Sequence, residues 1–239
     1  MDHFFEDLKR TILDLIFPVA CFGCRKEGFF LCRHCRDELV FIPPQCFVCG
    51  SLRPARARIP AGRTCVSCRK KTSIYAFLSP LSYETEFIRD LIHAFKYGRI
   101  RTLDRVLGDI LSAYLEKFEI ALPKNAILVP IPLHKSRIRT RGFNQAALIA
   151  GCLGEKLGIS YEEGGFKRGK NTKPQVELAA QDRRMNLKNA FLVDDPWIFK
   201  DKTILLLDDV KTTGATMEEA ARVLRGAGAK RIWAITVAH

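Results

Sequence analysis

Residues 204–216 read ILLLDDVKTTGAT. The aliphatic run Ile204–Leu207 has no polar break, so Thr203–Val210 is expected to be a strand covered on both faces. Asp208 and Asp209 close it, a Thr/Gly loop follows, and Thr216–Arg225 has helical spacing. In open α/β sheets ligands bind beyond the carboxyl ends of the strands. Backbone N–H groups of Thr212, Thr213, Gly214, Ala215 and Thr216 at a helix start would cradle an anion, and three threonine hydroxyls add donors. Gly214 admits close approach of a phosphate. Asp208 and Asp209 stand where they would accept hydrogen bonds from two vicinal sugar hydroxyls, or bind Mg²⁺ through oxygen.

Outward from this segment the chain alternates helices and strands. Phe87, Leu91 and Phe95 mark a helix, and Leu103 through Phe118 mark a longer one. Ala126–Pro132 (AILVPIP) reads as a short apolar strand, and Asn144–Leu157 as a helix ended by Gly158. Strands are expected at Ala190–Val193 and Arg231–Ala238. The pattern predicts an α/β fold with a mainly parallel, Rossmann-like sheet. Gly226-Ala227-Gly228 follows a helix and precedes a strand, the reverse of a dinucleotide fingerprint, so it reads as a helix cap. Cys152 falls within a helical pattern and is expected in the core.

Two basic stretches flank the expected helix Asn144–Leu157. Lys135, Arg137, Arg139 and Arg141 alternate with Ser136, Ile138 and Thr140. An extended conformation would point all four cations one way, toward a phosphate. Residues 160–189 show no apolar periodicity before Val176 and read as a long basic loop. Its candidate phosphate or nucleic-acid contacts are Lys167, Arg168, Lys170, Lys173, Arg183 and Arg184, with Phe166 and Phe143 as stacking rings or core residues. No residue declares itself a general base; His134 is the candidate.

Eight of the nine cysteines form four C-x-x-C pairs: Cys21/Cys24, Cys32/Cys35, Cys46/Cys49 and Cys65/Cys68. Each pair spans about one edge of a zinc tetrahedron. Two structural Zn²⁺ ions, each held by four cysteines with the pairs combined in sequence order, are expected; an interleaved cross-brace is the alternative. Gly23 and Gly50 suit the turns, and His34 is expected to be solvated. A stretch of about 70 residues is expected to hold little core of its own, so metal would supply folding energy. Residues 1–72 are therefore expected to form a zinc-ribbon domain with an N-terminal helix, and 73–239 the α/β domain.

The chain has 239 residues and a net charge of +13, ample for a sizeable core and inconsistent with wholesale disorder. Residues 1–72 carry net +6 and residues 130–189 net +7, while 73–129 and 190–239 each cancel. Anionic partners are implied. No uncharged run approaches the ~18 residues of a membrane span. The N-terminus ends in a lipoprotein-like Val19-Ala20-Cys21, but Asp2, Glu6, Asp7 and Asp14 are foreign to a signal peptide. Phe5, Leu8, Ile12 and Leu15 or Ile16 recur instead at helical spacing, so the segment reads as an amphipathic helix that stops before Pro18, and the protein as cytoplasmic.

ILLLDDVKTTGAT resembles the phosphoribosyl pyrophosphate signature of type I phosphoribosyltransferases. VPIPLHKSRIRTRGFNQA at 129–146 is similar to a hallmark of the ComF family, late competence proteins of DNA uptake and natural transformation. The N-terminal cysteine pairs and the later Asn171-Thr-Lys-Pro-Gln175, Arg183, Asn186 and Ala190-Phe191 extend the likeness over nearly the whole chain. The resemblance implies a phosphoribosyltransferase-like fold in which Asp208 and Asp209 hold ribose hydroxyls. Thr212–Thr216 would hold the 5′-phosphate, and Pro132, Leu133, His134 and Lys135 would face pyrophosphate. Lys211 departs from the aliphatic residue usual at its position and would add a cation to the rim. Three functions are compatible: an active phosphoribosyltransferase with an unidentified acceptor; a competence factor binding phosphoribosyl pyrophosphate and single-stranded DNA; and an adaptor docking an uptake helicase or recombination mediator through its zinc module. The second is the expected one.

Overall fold

Side chains alternate across a strand, and here the alternation sorts them between two cores. In the strand Thr203–Val210, Leu205 and Leu207 enter one core while Ile204 and Leu206 enter the other. The computed structural model describes residues 19–55, 60–98, 100–169 and 189–239. The expected helix over residues 5–16, the motif residues 171–175, and Lys170, Lys173, Arg183, Arg184 and Asn186 lie outside the described residues.

After the short helix α1 (Arg33–Asp37), the elements in chain order are β1 (Ala76–Leu78), α2 (Glu86–Tyr97), α3 (Leu103–Lys117), β2 (Ala126–Pro130), α4 (Lys135–Arg141) and α5 (Gln145–Leu157). Then come β3 (Phe166–Arg168), β4 (Phe191–Val193), a 3₁₀ turn (Pro196–Ile198), β5 (Thr203–Val210), α6 (Ala215–Gly226) and β6 (Arg231–Ala238). Strands β1-β6-β5-β2 form one parallel sheet in that order, so their carboxyl ends share one edge. One face is covered by α2, α3 and α5 and the other by α6 with the β3–β4 pair. This is the α/β architecture expected of a type I phosphoribosyltransferase-like fold.

Three expectations need correction. Residues 135–141 are helical, not extended: His134 caps the helix by accepting from the Ser136 N–H (3.2 Å), and Gly142, at φ 85°, closes it with its N–H on Ile138 O. The basic stretch after residue 160 is not all loop, because Phe166–Arg168 pairs antiparallel with Phe191–Val193. Its driving force is Phe166, which stacks on Phe191 with centroids 5.3 Å apart and is buried. Phe143 is buried too, against Phe95 (5.6 Å), so neither ring is available to a base. Cys152 is half-buried where α5 crosses α3; a Cβ on Gly108 would come within 2.8 Å of its sulfur.

Candidate functional site

The carboxyl ends of β2 and β5 open into a cleft of about 590 Å³. Its polar lining includes Lys96, Arg137, Arg141, Arg168, Asp208 and Lys211, with Thr140, Thr212, Gly214 and Thr216 beside them. Strand alternation separates the two carboxylates. Asp209 points to the α2 side and pairs with Lys96 at 2.8 Å, both side chains largely buried. Burial alone would lower the Lys96 ammonium, but the Asp209 charge and hydrogen bond hold it above its ordinary value. Gln145, itself buried, donates to Lys96 O (3.4 Å) and fixes the end of α2 beside this pair.

Asp208 faces the cleft. Burial, and then the Asp209 charge, raise its carboxyl to about 7, although Lys96 and Arg168 pull the other way. Across from it, burial followed by repulsion from Arg141 lowers the Arg137 guanidinium. Burial and Arg137 together bring Arg168 down to about 10. Cations held this close at partial burial favour an anion among them.

The helical form of residues 135–141 decides which cations take part. Positions four apart share a helix face; Arg137 and Arg141 line the cleft, while Lys135 and Arg139 are exposed and do not. Lys167 also lies outside, exposed and ion-paired with Asp194, because β3 alternation sends Arg168 inward instead. Leu133 borders a smaller side recess shared with Asp208 and Asp209; Pro132 and His134 line neither space, and His134 is committed to its cap. Thr213 and Ala215 line a neighbouring recess of about 570 Å³ together with Phe47 and Val48.

Sequence reasoning missed Lys96 and the aromatic side chains of the cleft, Tyr83, His93 and Tyr97. The Tyr97 ring lies 4.6 Å from His93 and carries the Arg141 guanidinium at 5.3 Å. It also missed Phe47, which sits between two cysteine positions and underlies the loop. A Cβ on Gly214 would come 2.7 Å from its ring, and Gly214 adopts φ 77° besides, so no other residue fits there without strain. Lys211 does not stand free at the rim. Burial lowers its ammonium, which lies 5.2 Å from both the Phe47 and Phe77 ring centroids.

The cysteines gather as two tetrads in sequence order, Cys21/24/32/35 and Cys46/49/65/68, with the sulfurs of each within 4.8 Å of one another. This arrangement excludes the interleaved cross-brace. Sulfur separations of 3.6 Å (Cys24–Cys32) and 3.8 Å (Cys46–Cys65) suit four thiolates around Zn²⁺, where about 3.8 Å follows from Zn–S bonds of about 2.3 Å. They are far from the ~2.05 Å of a disulfide. The Cys32 N–H donates to Cys21 Sγ (3.3 Å), as thiolate-binding turns do, and a Cβ on Gly23 would strike Cys35 Sγ at 2.7 Å. His34 is exposed and near Glu38, outside the tetrad. Among the described residues, no helix is long and apolar enough to cross a membrane.

A parallel sheet ending in this acid–threonine cleft, preceded by two cysteine tetrads, defines a phosphoribosyltransferase-fold protein with metal-binding modules. The family model described as "Phosphoribosyl transferase domain" matches residues 138–239. "Competence protein F" of Haemophilus influenzae is 33% identical over 219 residues, covering 89% of this chain and 86% of that protein. "DNA utilization protein YhgH" of Escherichia coli K12 is 29% identical (92% and 98% covered), and "Competence protein ComFC" of Bacillus subtilis 28% (93% and 85%). The chain belongs to the ComF family of competence proteins. Among solved structures, a glutamine phosphoribosylpyrophosphate amidotransferase from B. subtilis, complexed with ADP and GMP, aligns at TM-score 0.35 and 17% identity. That alignment covers 59% of this chain and 26% of the longer enzyme.

Proposed function

We propose that this is a cytoplasmic competence protein that binds phosphoribosyl pyrophosphate in the 590 Å³ cleft and single-stranded DNA elsewhere on its basic surface. The observation that carries the reading is the convergence of Asp208, of Thr212, Gly214 and Thr216 from the loop, and of three arginines on one cleft at the carboxyl edge of the sheet. The ribose hydroxyls would be accepted by Asp208, with Asp209 held behind it by Lys96. The 5′-phosphate would lie on the loop and the first turn of α6, and the pyrophosphate against Arg137, Arg141 and Arg168. Mg²⁺ accompanying the pyrophosphate would find carboxylate and hydroxyl oxygens, its preferred ligands. Zn²⁺ would fill both tetrads, with the zinc-bearing unit ending at residue 72 and the phosphoribosyltransferase unit beginning at 73. Glu218 ties the two at that junction by accepting from the Ser73 N–H (2.7 Å) and the Thr72 hydroxyl.

Titration calorimetry with phosphoribosyl pyrophosphate and Mg²⁺ tests this. The native protein should bind, and Asp208→Ala should weaken binding at least about tenfold, the loss of a charge-assisted hydrogen bond or two. No binding by the native protein, or equal binding by the variant, would refute the site.

A further inference from the structure

The other end of the sheet carries a second basic surface that the cleft does not explain. A recess of about 340 Å³ opens where the second cysteine tetrad's segment meets the start of β6. Arg63, Arg69, Arg225, Lys230 and Arg231 line it around Tyr75, and none of its lining residues is acidic. Among the described residues, none of these five cations lies within ion-pair distance of a carboxylate.

The cations come from separated stretches, residues 63–69 and 225–231, which only the fold brings together. A filled zinc tetrad carries a formal −2, and Arg63 and Arg69, flanking Cys65 and Cys68, would partly offset it. Arg225, Lys230 and Arg231 adjoin no cysteine in the sequence, so local compensation does not explain them. The Glu218 carboxylate, bound by Thr72 and Ser73 of the recess wall, and the tetrad offset part of this charge, and the excess that is left favours an external anion. The aromatic component narrows the class of anion. Tyr75 carries the Arg231 guanidinium at 4.6 Å and that of Arg63 at 5.4 Å from its ring centroid. Arg225 is fixed by its bond to the Ala229 carbonyl (2.6 Å). Because the ring already carries two guanidinium groups and has Trp233 at 6.3 Å, it serves to hold the two arginines in place, and an unpaired base would stack on a guanidinium with its phosphodiester in the basic groove. A duplex keeps its bases stacked inside and offers none to such a recess.

Position sets this site apart from the cleft. Arg231 opens β6 and Tyr75 immediately precedes β1, whereas Asp208 stands toward the opposite end of the parallel sheet; Thr203 lies level with Arg231 and Asp208 with Thr236, so five residues of strand, roughly 17 Å, separate the two. We propose that the Arg63–Tyr75–Arg231 recess is the single-stranded DNA site of this protein, separate from the sugar-pyrophosphate cleft. The assignment rests on the DNA-binding reading above and locates it.

The test is fluorescence anisotropy with a labelled oligodeoxythymidylate across a salt series, on the native chain and on Lys230→Ala/Arg231→Ala. Both positions are exposed, and unchanged zinc content and phosphoribosyl pyrophosphate affinity would show the fold intact. Each lost phosphate contact should reduce the log–log salt slope by about 0.7, so the double variant should lose about 1.4 and bind at least about tenfold more weakly near 0.1 M salt. Native-like affinity in this variant, with loss instead in Arg137→Ala/Arg168→Ala, would overturn the assignment and put the strand in the cleft. No salt-sensitive binding by the native chain would refute the DNA-binding reading itself, and the recess with it.

Discussion

Asp208 works at the limit of what its surroundings tolerate. Burial and the Asp209 charge raise its carboxyl from 3.8 to about 7, so the folded protein holds a proton that the unfolded chain has already released. Between about pH 4 and pH 7 this group therefore subtracts stability as pH rises. Ligand binding runs the opposite way, because only the ionised form accepts hydrogen bonds from two sugar hydroxyls. Affinity for phosphoribosyl pyrophosphate should rise about tenfold from pH 6 to pH 8. Asp208→Asn should flatten the Asp208 contribution to that profile and melt a few degrees higher than native at neutral pH. An unchanged pH profile in the variant would assign the titration to the ligand's own phosphates. The carboxylates were legible in the sequence because they end a uniformly apolar strand. Lys96 was not, since no local pattern joins position 96 to position 209; only the packing of α2 beside the end of β5 does so.

At the scale of elements, legibility followed length and periodicity. The eight-residue strands β5 and β6 stand where their apolar runs predict them, and the expected strand at Ala190–Val193 appears as β4, while three-residue β1 and β3 carry too few positions to show a period. The alternating cations of the α4 segment suggested an extended conformation, whereas its conformation is set by His134 and Gly142 at its ends. The consequence for the site is a division of labour, with Arg137 and Arg141 turned to the cleft and Lys135 and Arg139 to solvent. The loop before α6 depends on a distant element as well. Phe47 is buried against Gly214, and its ring meets Phe77 edge-on at 5.4 Å. Phe47→Ala should cost about 3 kcal/mol in denaturant unfolding. It should also weaken phosphoribosyl pyrophosphate binding several-fold while both tetrads keep their zinc. Ligand affinity equal to native would show that the loop holds its shape without the cysteine module.

For the molecule as a whole, charge counted along the sequence gave an incomplete map. Residues 190–239 cancel by composition, yet Arg225, Lys230 and Arg231 converge with Arg63 and Arg69 in one recess. Zinc in both tetrads would bring the formal +13 to about +9, and much of the N-terminal excess then lies beside metal sites. The same interleaving governs folding. Leu39 and Ala61, from the cysteine-bearing segment, belong to the core of α2, α3 and α5, and Phe47 belongs to the opposite core. Gln45 reaches His239, and Glu218 reaches Thr72 and Ser73. A module that seeds both cores cannot unfold alone without exposing apolar surface on each face of the sheet. Metal analysis should therefore give two zinc ions per chain, and their removal by a chelator should lower the melting temperature of the entire chain by at least about ten degrees, in one transition. Two resolved transitions, with the α/β unit melting as in the zinc-loaded protein, would instead make the cysteine segment an independent appendage and sever its link to the cleft.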